Sequence, residues 1–267
     1  MKKIAIVLTY FERPFQAIRT LKSIAKTEYP DYHIILVDDG SREPFFYIQD
    51  KLTIVRLEDK KWTSGIVALN RGLEEAFFNM KQRPNIVIIQ NTEAYHWGDV
   101  ISYASQIKEG EYISFGCFSL NKNSTFTELR KDFIERLLLC QRGASFDGDC
   151  AWYNHPVYRP VAYNFCCAIN ADDIIRLNGF DERFAEGWCY EDDYFIWAVR
   201  QLGLSIEITT PPDPIVLHQW HYDKEIRPEE KLIRNKLVER NKNLYQQLTS
   251  SNNTDFRAVH KFTKDLS

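Results

Sequence analysis

The sequence predicts an α/β fold in which a mostly parallel central sheet is flanked by helices. Two observations carry this prediction. Runs typical of buried strands alternate with segments whose apolar residues recur at helical spacing through the N-terminal half. Three of the strand runs also end in clusters of polar residues, as expected at the ligand-binding edge of an open parallel sheet.

The N-terminal half supplies four strands and two helices before its last strand-like run. A helix begins at Pro14 and carries Phe15, Ile18, Leu21 and Ile24 on one face. The segment SGIVALNRGLEEAFFNM predicts the second helix, and EYISFGCF closes this half. The four strand sequences are IAIVLTY, HIILVDDGS, LTIVRLE and NIVIIQN.

The C-terminal half is less regular. From Asn121 to Pro160 aromatic and polar residues mix, which predicts an insertion or a binding loop. Strand-like YNFCCAIN follows, then a helix from Asp172 to Leu177 and the helical segment EDDYFIWAVRQLG. After SIEITTPPDPIVLHQWH, the stretch KLIRNKLVERNKNLYQQL predicts a basic surface helix, and we expect the polar residues beyond Ser250 to fray.

Composition narrows the class of protein. The chain has 267 residues, 44% of them hydrophobic and 27% charged, as in ordinary globular proteins. The net charge of −3 argues against a general nucleic-acid binder, and no apolar run is long enough to span a bilayer. Six cysteines without C-x-x-C spacing indicate mostly buried free thiols in a reducing, cytoplasmic compartment. The basic helix leaves peripheral contact with a membrane open, although a solvated face is the default interpretation.

The polar strand ends are the candidate nucleotide site. An aromatic ring can stack on a base, and a carboxylate can accept from a ring N–H such as that of uracil. The alternative for Asp-Asp-Gly-Ser is a simple Asx turn, with about equal weight. Neither a G-x-G-x-x-G nor a P-loop sequence occurs. The three clusters are Thr9, Tyr10 and Glu12; Asp38, Asp39, Gly40 and Ser41; and Gln90, Asn91, Thr92 and Glu93.

A nucleotide bound without a glycine-rich cradle usually needs a cation held by carboxylates and the diphosphate. Glu93, with Asn91 beside it, is the natural ligand, and the H-x-x-H pair His218 and His221 could add imidazoles and so favour Mn²⁺ over Mg²⁺. Alone, such a pair is more often structural.

Three adjacent acids, Glu191, Asp192 and Asp193, begin one predicted helix. Acidic residues suit a helix N-terminus, which accounts for one or two of them. Three neighbouring carboxylates repel one another, so the third favours either plain solvation or a site that needs charge near a reacting group.

The motifs IVLTYFERP, ILVDDGS, the G-x-x-x-x-N-R-G run from Gly65 to Gly72, and LNGFDERFAEGWCYEDDYFIWAVRQLG occur in one order. Together they resemble GT-A glycosyltransferases of the family 2 type. The last block and the histidine pair also resemble the C-terminal region of β-1,4-galactosyltransferases. The resemblance covers about residues 3–223 and rests on the ordered set.

The resemblance implies a role for each matching residue. Thr9, Tyr10 and Glu12 would border the nucleotide, and Asp38 or Asp39 would contact uracil. Asn91 and Glu93 fall at the Asp-x-Asp metal motif, whereas His218 and His221 match late metal-contacting positions. Asp192 matches the base that activates the acceptor, and Glu191 and Trp188 would contact sugar or acceptor. We add Gly65, Asn70 and Arg71 as nucleotide contacts, and Trp152 and Tyr153 as a wall of the sugar or acceptor site.

Two departures from the family pattern bear on this assignment. Asn-Thr-Glu replaces Asp-x-Asp, which removes one carboxylate from the metal site. Leu69 stands where many relatives carry arginine, so Arg71 or a C-terminal lysine would have to contact the diphosphate.

We therefore expect a single GT-A domain over residues 1–250. Residues 1–118 would form the nucleotide-binding half, 119–222 the acceptor and catalytic half, and 223–250 a C-terminal helix, with 251–267 a polar tail. The expected activity is inverting, metal-dependent transfer of a sugar from a nucleotide-diphosphate sugar, most simply a UDP-sugar, to a carbohydrate or glycolipid hydroxyl. The alternatives are an inactive GT-A-like sugar-nucleotide-binding module and a nucleotidyltransferase.

Overall fold

The structure is a computed structural model and describes residues 1–141, 143–144, 150–221, 228–250 and 254–266. The strands in the described parts of the chain are β1 (Ile4–Tyr10), β2 (Tyr32–Asp38), β3 (Leu52–Arg56), β4 (Ile86–Asn91), β5 (Ala94–Trp97), β6 (Glu111–Ser114), β7 (Cys117–Ser119), β8 (Ala151–Asn154), β9 (Cys166–Asn170), β10 (Ser205–Ile208) and β11 (Ile215–His218).

The helices there are α1 (Pro14–Ile24), α2 (Ile66–Glu74), α3 (Val100–Ala104), α4 (Lys122–Phe126), α5 (Lys131–Cys140), α6 (Ala171–Leu177), α7 (Glu191–Gln201) and α8 (Pro228–Leu248). A π-helical turn, Glu75–Asn79, continues α2, and a 3-10 turn, Glu182–Phe184, precedes α7.

The main sheet has seven strands in the order β10-β6-β9-β4-β1-β2-β3. The pairs among β3, β2, β1 and β4 are parallel, as is β10 with β6, whereas β9 runs antiparallel to both of its neighbours. The prediction of a mostly parallel central sheet flanked by helices is confirmed. Apolar side chains fill both faces, with α2, α6 and α7 contributing to one core and α1 and α3 to the other.

A second sheet of four strands, in the order β5-β11-β7-β8, was not predicted. EYISFGCF divides at Gly116 into β6 and β7, one strand for each sheet. A Cβ atom at Gly116 would lie 2.5 Å from the Thr209 carbonyl oxygen, so this close passage requires glycine. His218, the last residue of β11 in this second sheet, lies at the candidate functional site.

The stretch 121–160, predicted as an insertion or a binding loop, contains α4, α5 and β8 in addition to loops. The expectation that the tail frays is wrong over 254–266, because Ala258 and Leu266 are buried against the domain. Residues 222–227, 251–253 and 267, which fall in the predicted C-terminal helix and tail segments, lie outside the described chain. No described helix is long and apolar enough to cross a membrane.

Candidate functional site

The carboxyl ends of β1, β2 and β4 meet at one edge of the main sheet. Parallel register sets Thr9 beside Asn91 on one side and Tyr10 beside Asp38 on the other. Gly65, at the N-terminus of α2, lies close to the Thr9 side chain. Residues far apart in the sequence therefore share one edge, as the strand-end pattern predicts.

The two acids after β2 have different environments. Asp38 is fully buried and closes the turn: its Oδ1 accepts from the Ser41 N–H at 3.0 Å, and its Oδ2 accepts from Phe45 N–H at 3.0 Å and Arg56 at 2.9 Å. The Asp38 carboxylate therefore stabilises an Asx-type turn, which is the alternative interpretation of the Asp-Asp-Gly-Ser motif.

Asp39 is held by two side chains that leave it able to accept further bonds. Trp62 Nε1 donates to Oδ1 at 2.8 Å, and the Lys60 ammonium donates to Oδ2. Burial raises the pKa of Asp39, although Lys60 and Trp62 oppose that shift. A carboxylate has about four lone-pair positions, so one on each oxygen remains.

The first strand end is shaped by its neighbours. Tyr10 is buried with its ring centroid 4.5 Å from that of Phe45, and burial raises its pKa. Glu12 has a left-handed φ of 55° and is ion-paired with Arg42 at 3.1 Å on the surface. Glu12 therefore lies on the solvent-facing side of the carboxyl-terminal edge of the main sheet.

Glu93 and the histidine pair form the centre of the site. β11 pairs His218 with Ala94, the residue after Glu93, and the His218 and His221 ring centroids are 5.2 Å apart. Burial lowers the pKa of His218 to about 3 and also lowers that of His221, so both imidazoles are neutral near neutral pH. Burial opposes ionisation of Glu93, but the Arg13 guanidinium outweighs burial and lowers the pKa of Glu93.

The predicted metal centre is not assembled in this arrangement. The Arg13 guanidinium is hydrogen-bonded to the Glu93 carboxylate, and Asn91 donates its backbone N–H to the Phe165 carbonyl at 3.0 Å. Within the described ranges, no group of three His, Cys, Asp or Glu side chains is arranged to hold a metal ion. The donor chemistry still suits a divalent cation, because an ionised carboxylate lies beside two neutral imidazoles.

Aromatic side chains connect this centre to the acidic helix. Tyr153 packs against His218 with ring centroids 5.0 Å apart and against Phe165 at 5.7 Å. Tyr163 lies 6.1 Å from Phe165, and its hydroxyl donates to Asp193. The site thus runs from the histidine pair, along an aromatic wall, to the acids of α7.

The three acids of α7 are chemically distinct. Asp193 accepts from Tyr163, whereas Glu191 bonds the Ser64 hydroxyl through one oxygen and has no hydrogen-bond partner for buried Oε2 within the described chain. Burial, with repulsion from Asp193, raises the pKa of Glu191 to about 7. Burial and its two acidic neighbours raise the pKa of Asp192 well above the usual range, against the attraction of Arg159. Because Glu191 is one of the charges that raise the pKa of Asp192, the two acids titrate as an interacting pair.

Close packing of α8 holds the loop before these acids. A Cβ atom at Gly187 would lie 2.1 Å from the Asn241 side chain, which is buried and donates to the carbonyls of Phe184 and Cys189 at 3.1 and 2.9 Å. Trp188 is 39% exposed, and the Arg234 guanidinium lies 5.1 Å from its ring centroid. The Trp188 ring is therefore available at the rim of the acidic end.

Comparisons with known proteins bear on the family and on the fold. Residues 5–78 match the model of glycosyl transferase family 2. The mannosyltransferase PcManGT from Pyrobaculum calidifontis, solved with GDP-Man and Mn²⁺, has 13% identity and a TM-score of 0.52 over 92% of this chain and 64% of its own. The chain shares the GT-A fold of this structure.

Other solved structures support the same fold. TarS from S. aureus aligns at 14% identity and a TM-score of 0.55, over 93% of this chain and 40% of TarS. TarS 1–349 in complex with UDP-GlcNAc aligns at 13% identity and a TM-score of 0.53, over 83% and 60%. This GT-A chain thus spans 40% to 64% of the three structures. No curated protein matched it.

Three predicted contacts lie away from the site of this GT-A chain. Asn70 is fully buried and bonds the Phe180 backbone and Glu182, which joins α2 to the turn before α7. Arg71 is ion-paired with Glu74 at 2.7 Å on the outer part of α2. Trp152 is 2% exposed in the core of the second sheet, where its ring centroid lies 5.1 Å from that of Phe118. Because their side chains are engaged there, we omit all three from the proposed site.

Sequence reasoning missed three residues that touch the site. Arg13 bonds Glu93, Ser64 bonds Glu191, and Arg159 lies over the Tyr163 ring at 5.6 Å. Arg13 directly follows Glu12 in the first strand-end cluster, so its position was a usable signal. Ser64 and Arg159 meet the acids only through tertiary packing, and nothing in their local sequence indicates that contact.

Proposed function

We propose that this chain transfers a sugar from a nucleotide-diphosphate sugar, UDP-linked by preference, to an acceptor hydroxyl. The observation that carries the proposal is the coupled pair Glu191 and Asp192, joined by an aromatic wall to the polar edge of a GT-A sheet. The match of residues 5–78 to a glycosyltransferase family and the sugar nucleotides named for the similar structures support it.

The nucleotide would lie across the ends of β1 and β2. Asp39 retains acceptor capacity for the N3–H of uracil, since its two partners are both donors. Thr9 and Gly65 border the same edge, and Tyr10 and Glu12 would form its outer side. Asp38 would act by shaping the turn that presents Asp39.

A divalent cation, with Mn²⁺ favoured, belongs to the proposal. Glu93, His218 and His221 would hold it, with the Asn91 side chain as a further oxygen donor, once Arg13 turns away from Glu93. The cation would supply positive charge at the departing diphosphate.

The acidic end would carry the proton chemistry. Asp192 would accept the proton of the acceptor hydroxyl as that oxygen attacks the anomeric carbon, and a base acting directly on the acceptor implies inversion. The raised pKa of Asp192 makes its carboxylate a stronger base than an unperturbed carboxylate. Glu191 would bind an acceptor or sugar hydroxyl through its unpartnered oxygen.

The acceptor would be a carbohydrate or glycolipid at the α7 end. The half-exposed Trp188 ring offers a face for a pyranose, and Tyr153 lines the wall between the two ends. Sugar faces pack on aromatic rings while hydroxyls bond nearby carboxylates.

The second candidate is a nucleotide-sugar-binding module without activity, favoured by the engagement of Glu93 with Arg13. A panel of UDP-sugars, assayed for hydrolysis with and without Mn²⁺ alongside calorimetric UDP titration, separates the two. The enzyme binds UDP and hydrolyses one donor slowly; a module binds UDP and hydrolyses none. Absence of UDP binding would refute both.

Asp192→Asn tests the assigned base. Transfer should fall by about 10² to 10⁴ fold while UDP affinity is kept, since removal of a general base typically costs that much. Asp172→Asn, at a highly exposed acid on α6, is the matched control. Retained turnover in Asp192→Asn would remove Asp192 from this role.

A further inference from the structure

The C-terminal tail, residues 254–266, packs on the domain at the end of α6. Ala258 donates its N–H to the Leu177 carbonyl at 2.8 Å, and Leu266 donates to the Asn178 side chain at 2.9 Å. His260 Nε2 lies 2.6 Å from the Asn178 carbonyl oxygen. The tail therefore takes a defined path over the turn between α6 and the 3-10 helix.

One buried carboxylate organises the end of this path. Glu182 is fully buried, and its Oε2 accepts the backbone N–H groups of Lys261 and Phe262 at 2.6 Å each and of Thr263 at 3.2 Å. Its Oε1 accepts from Asn70 at 2.9 Å. Three successive amides on one buried carboxylate define the backbone of residues 261–263, and so the direction of the Phe262 side chain.

The Phe262 ring contacts the Trp62 ring. The two ring centroids are 5.4 Å apart, and Phe262 remains 37% exposed. The Trp62 indole that it contacts is the group that donates to Asp39 at 2.8 Å. A continuous chain of contacts thus joins Glu182, Phe262, Trp62 and Asp39.

We propose that Phe262 and Trp62 are positioning residues for Asp39. Through them, the tail makes the site selective for a nucleobase that carries an N–H next to a ring carbonyl, as uracil does. The inference rests on the proposed function. Trp62 and Lys60 donate to different oxygens of Asp39, which leaves acceptor capacity on each oxygen for the N–H of a base. Uracil offers an N3–H to such an acceptor, whereas cytosine has an unprotonated N3.

UDP and CDP are therefore the two probes. The full chain should bind UDP more tightly than CDP. Phe262→Ala should weaken UDP binding about tenfold, as expected for the misplacement of one charged hydrogen bond, and leave CDP binding unchanged. In turnover, the donor KM should rise with little change in kcat. Phe262→Tyr keeps the ring and should restore UDP affinity.

Val259→Ala is the matched control on the same tail. Val259 is 43% exposed and bonds the domain through its backbone, so UDP affinity should stay at the wild-type value. Trp62→Phe is a second test, because it keeps a ring beside Phe262 and removes the N–H that orients Asp39. It should reproduce the loss of UDP selectivity even if Phe262→Ala fails to fold.

Equal weakening of UDP and CDP in both variants would show a general structural effect and overturn the inference. Wild-type selectivity in a folded Phe262→Ala or Trp62→Phe protein would also overturn it. A wild-type chain that binds UDP and CDP equally would refute the role of Asp39 in base selection and leave the transfer activity standing. A wild-type chain that binds neither would refute the proposed function as well.

Discussion

The guanidinium of Arg13 is ion-paired with the buried carboxylate of Glu93. The Glu93 side chain is 5% exposed and that of Arg13 is 39% exposed, so the acid depends on this partner more than the base does. The pair lies where the sequence predicts a metal ion. Arg13 and a divalent cation would compete for one carboxylate.

Replacement of Arg13 tests this competition. Arg13→Gln leaves Glu93 buried without its cation, and we expect a loss of about 2 kcal/mol in the free energy of unfolding, below the range for fully buried pairs. Mn²⁺ should stabilise Arg13→Gln more than the wild type, as measured by thermal unfolding at a series of Mn²⁺ concentrations. Arg83→Gln, in an exposed pair with Asp172, controls for loss of a surface charge. If Mn²⁺ stabilises Arg13→Gln no more than the wild type, Glu93 is not a metal ligand.

The pH dependence of transfer should reflect the Glu191 and Asp192 pair. The pKa of Asp192 is raised well above the ordinary range, so its ionised form is depleted at pH values where an ordinary aspartate is fully ionised. We expect kcat/KM for the acceptor to rise with pH as Asp192 ionises, at a higher pH than for an ordinary aspartate. Glu191→Gln should move this limb to lower pH, because it removes a like charge beside Asp192. A limb that stays in place in Glu191→Gln would show that another group controls the profile.

The same pair should reduce stability at neutral pH. The folded pKa of Glu191 is about 7, above its ordinary value of 4.5, so the folded chain binds more protons than the unfolded chain between those values. Stability is therefore greatest at the acid end of this window and falls as the pH rises. Asp192→Asn removes the repulsion between the carboxylates of Asp192 and Glu191. At pH 8 its free energy of unfolding should exceed that of the wild type by on the order of 1 kcal/mol. Urea unfolding at pH 5 and pH 8 measures the difference, which should be smaller at pH 5.

Features that depend on local pattern are predicted well by the sequence. Apolar runs and helical spacing identified the main sheet, and polar strand ends identified an edge at which Thr9 and Asn91 do meet. Pattern alone could not reveal the second sheet, since its short strands pair across long sequence separations. The engagement of Asn70 in a buried link also depends on a partner 110 residues away in the chain.

Trp152 and Tyr153 illustrate the same limit and give the last prediction. They were both predicted as a wall of the sugar site, but neighbouring residues on a strand face opposite ways. In β8, Tyr153 faces His218, whereas Trp152 packs on Phe118 and donates its Nε1 hydrogen to the Gln141 carbonyl at 3.1 Å.

The two positions should therefore respond differently to substitution. Trp152→Ala should cost about 3 to 5 kcal/mol of stability through loss of core packing, with donor KM and kcat unchanged in the protein that remains folded. Tyr153→Phe, which keeps the packed ring, should preserve stability to within about 1 kcal/mol. Tyr153→Leu removes the aromatic face beside His218, and we expect it to lower kcat/KM several-fold. Unfolding curves and steady-state kinetics on the same preparations separate these effects. A rise in donor KM for Trp152→Phe would show that Trp152 does contribute to the site.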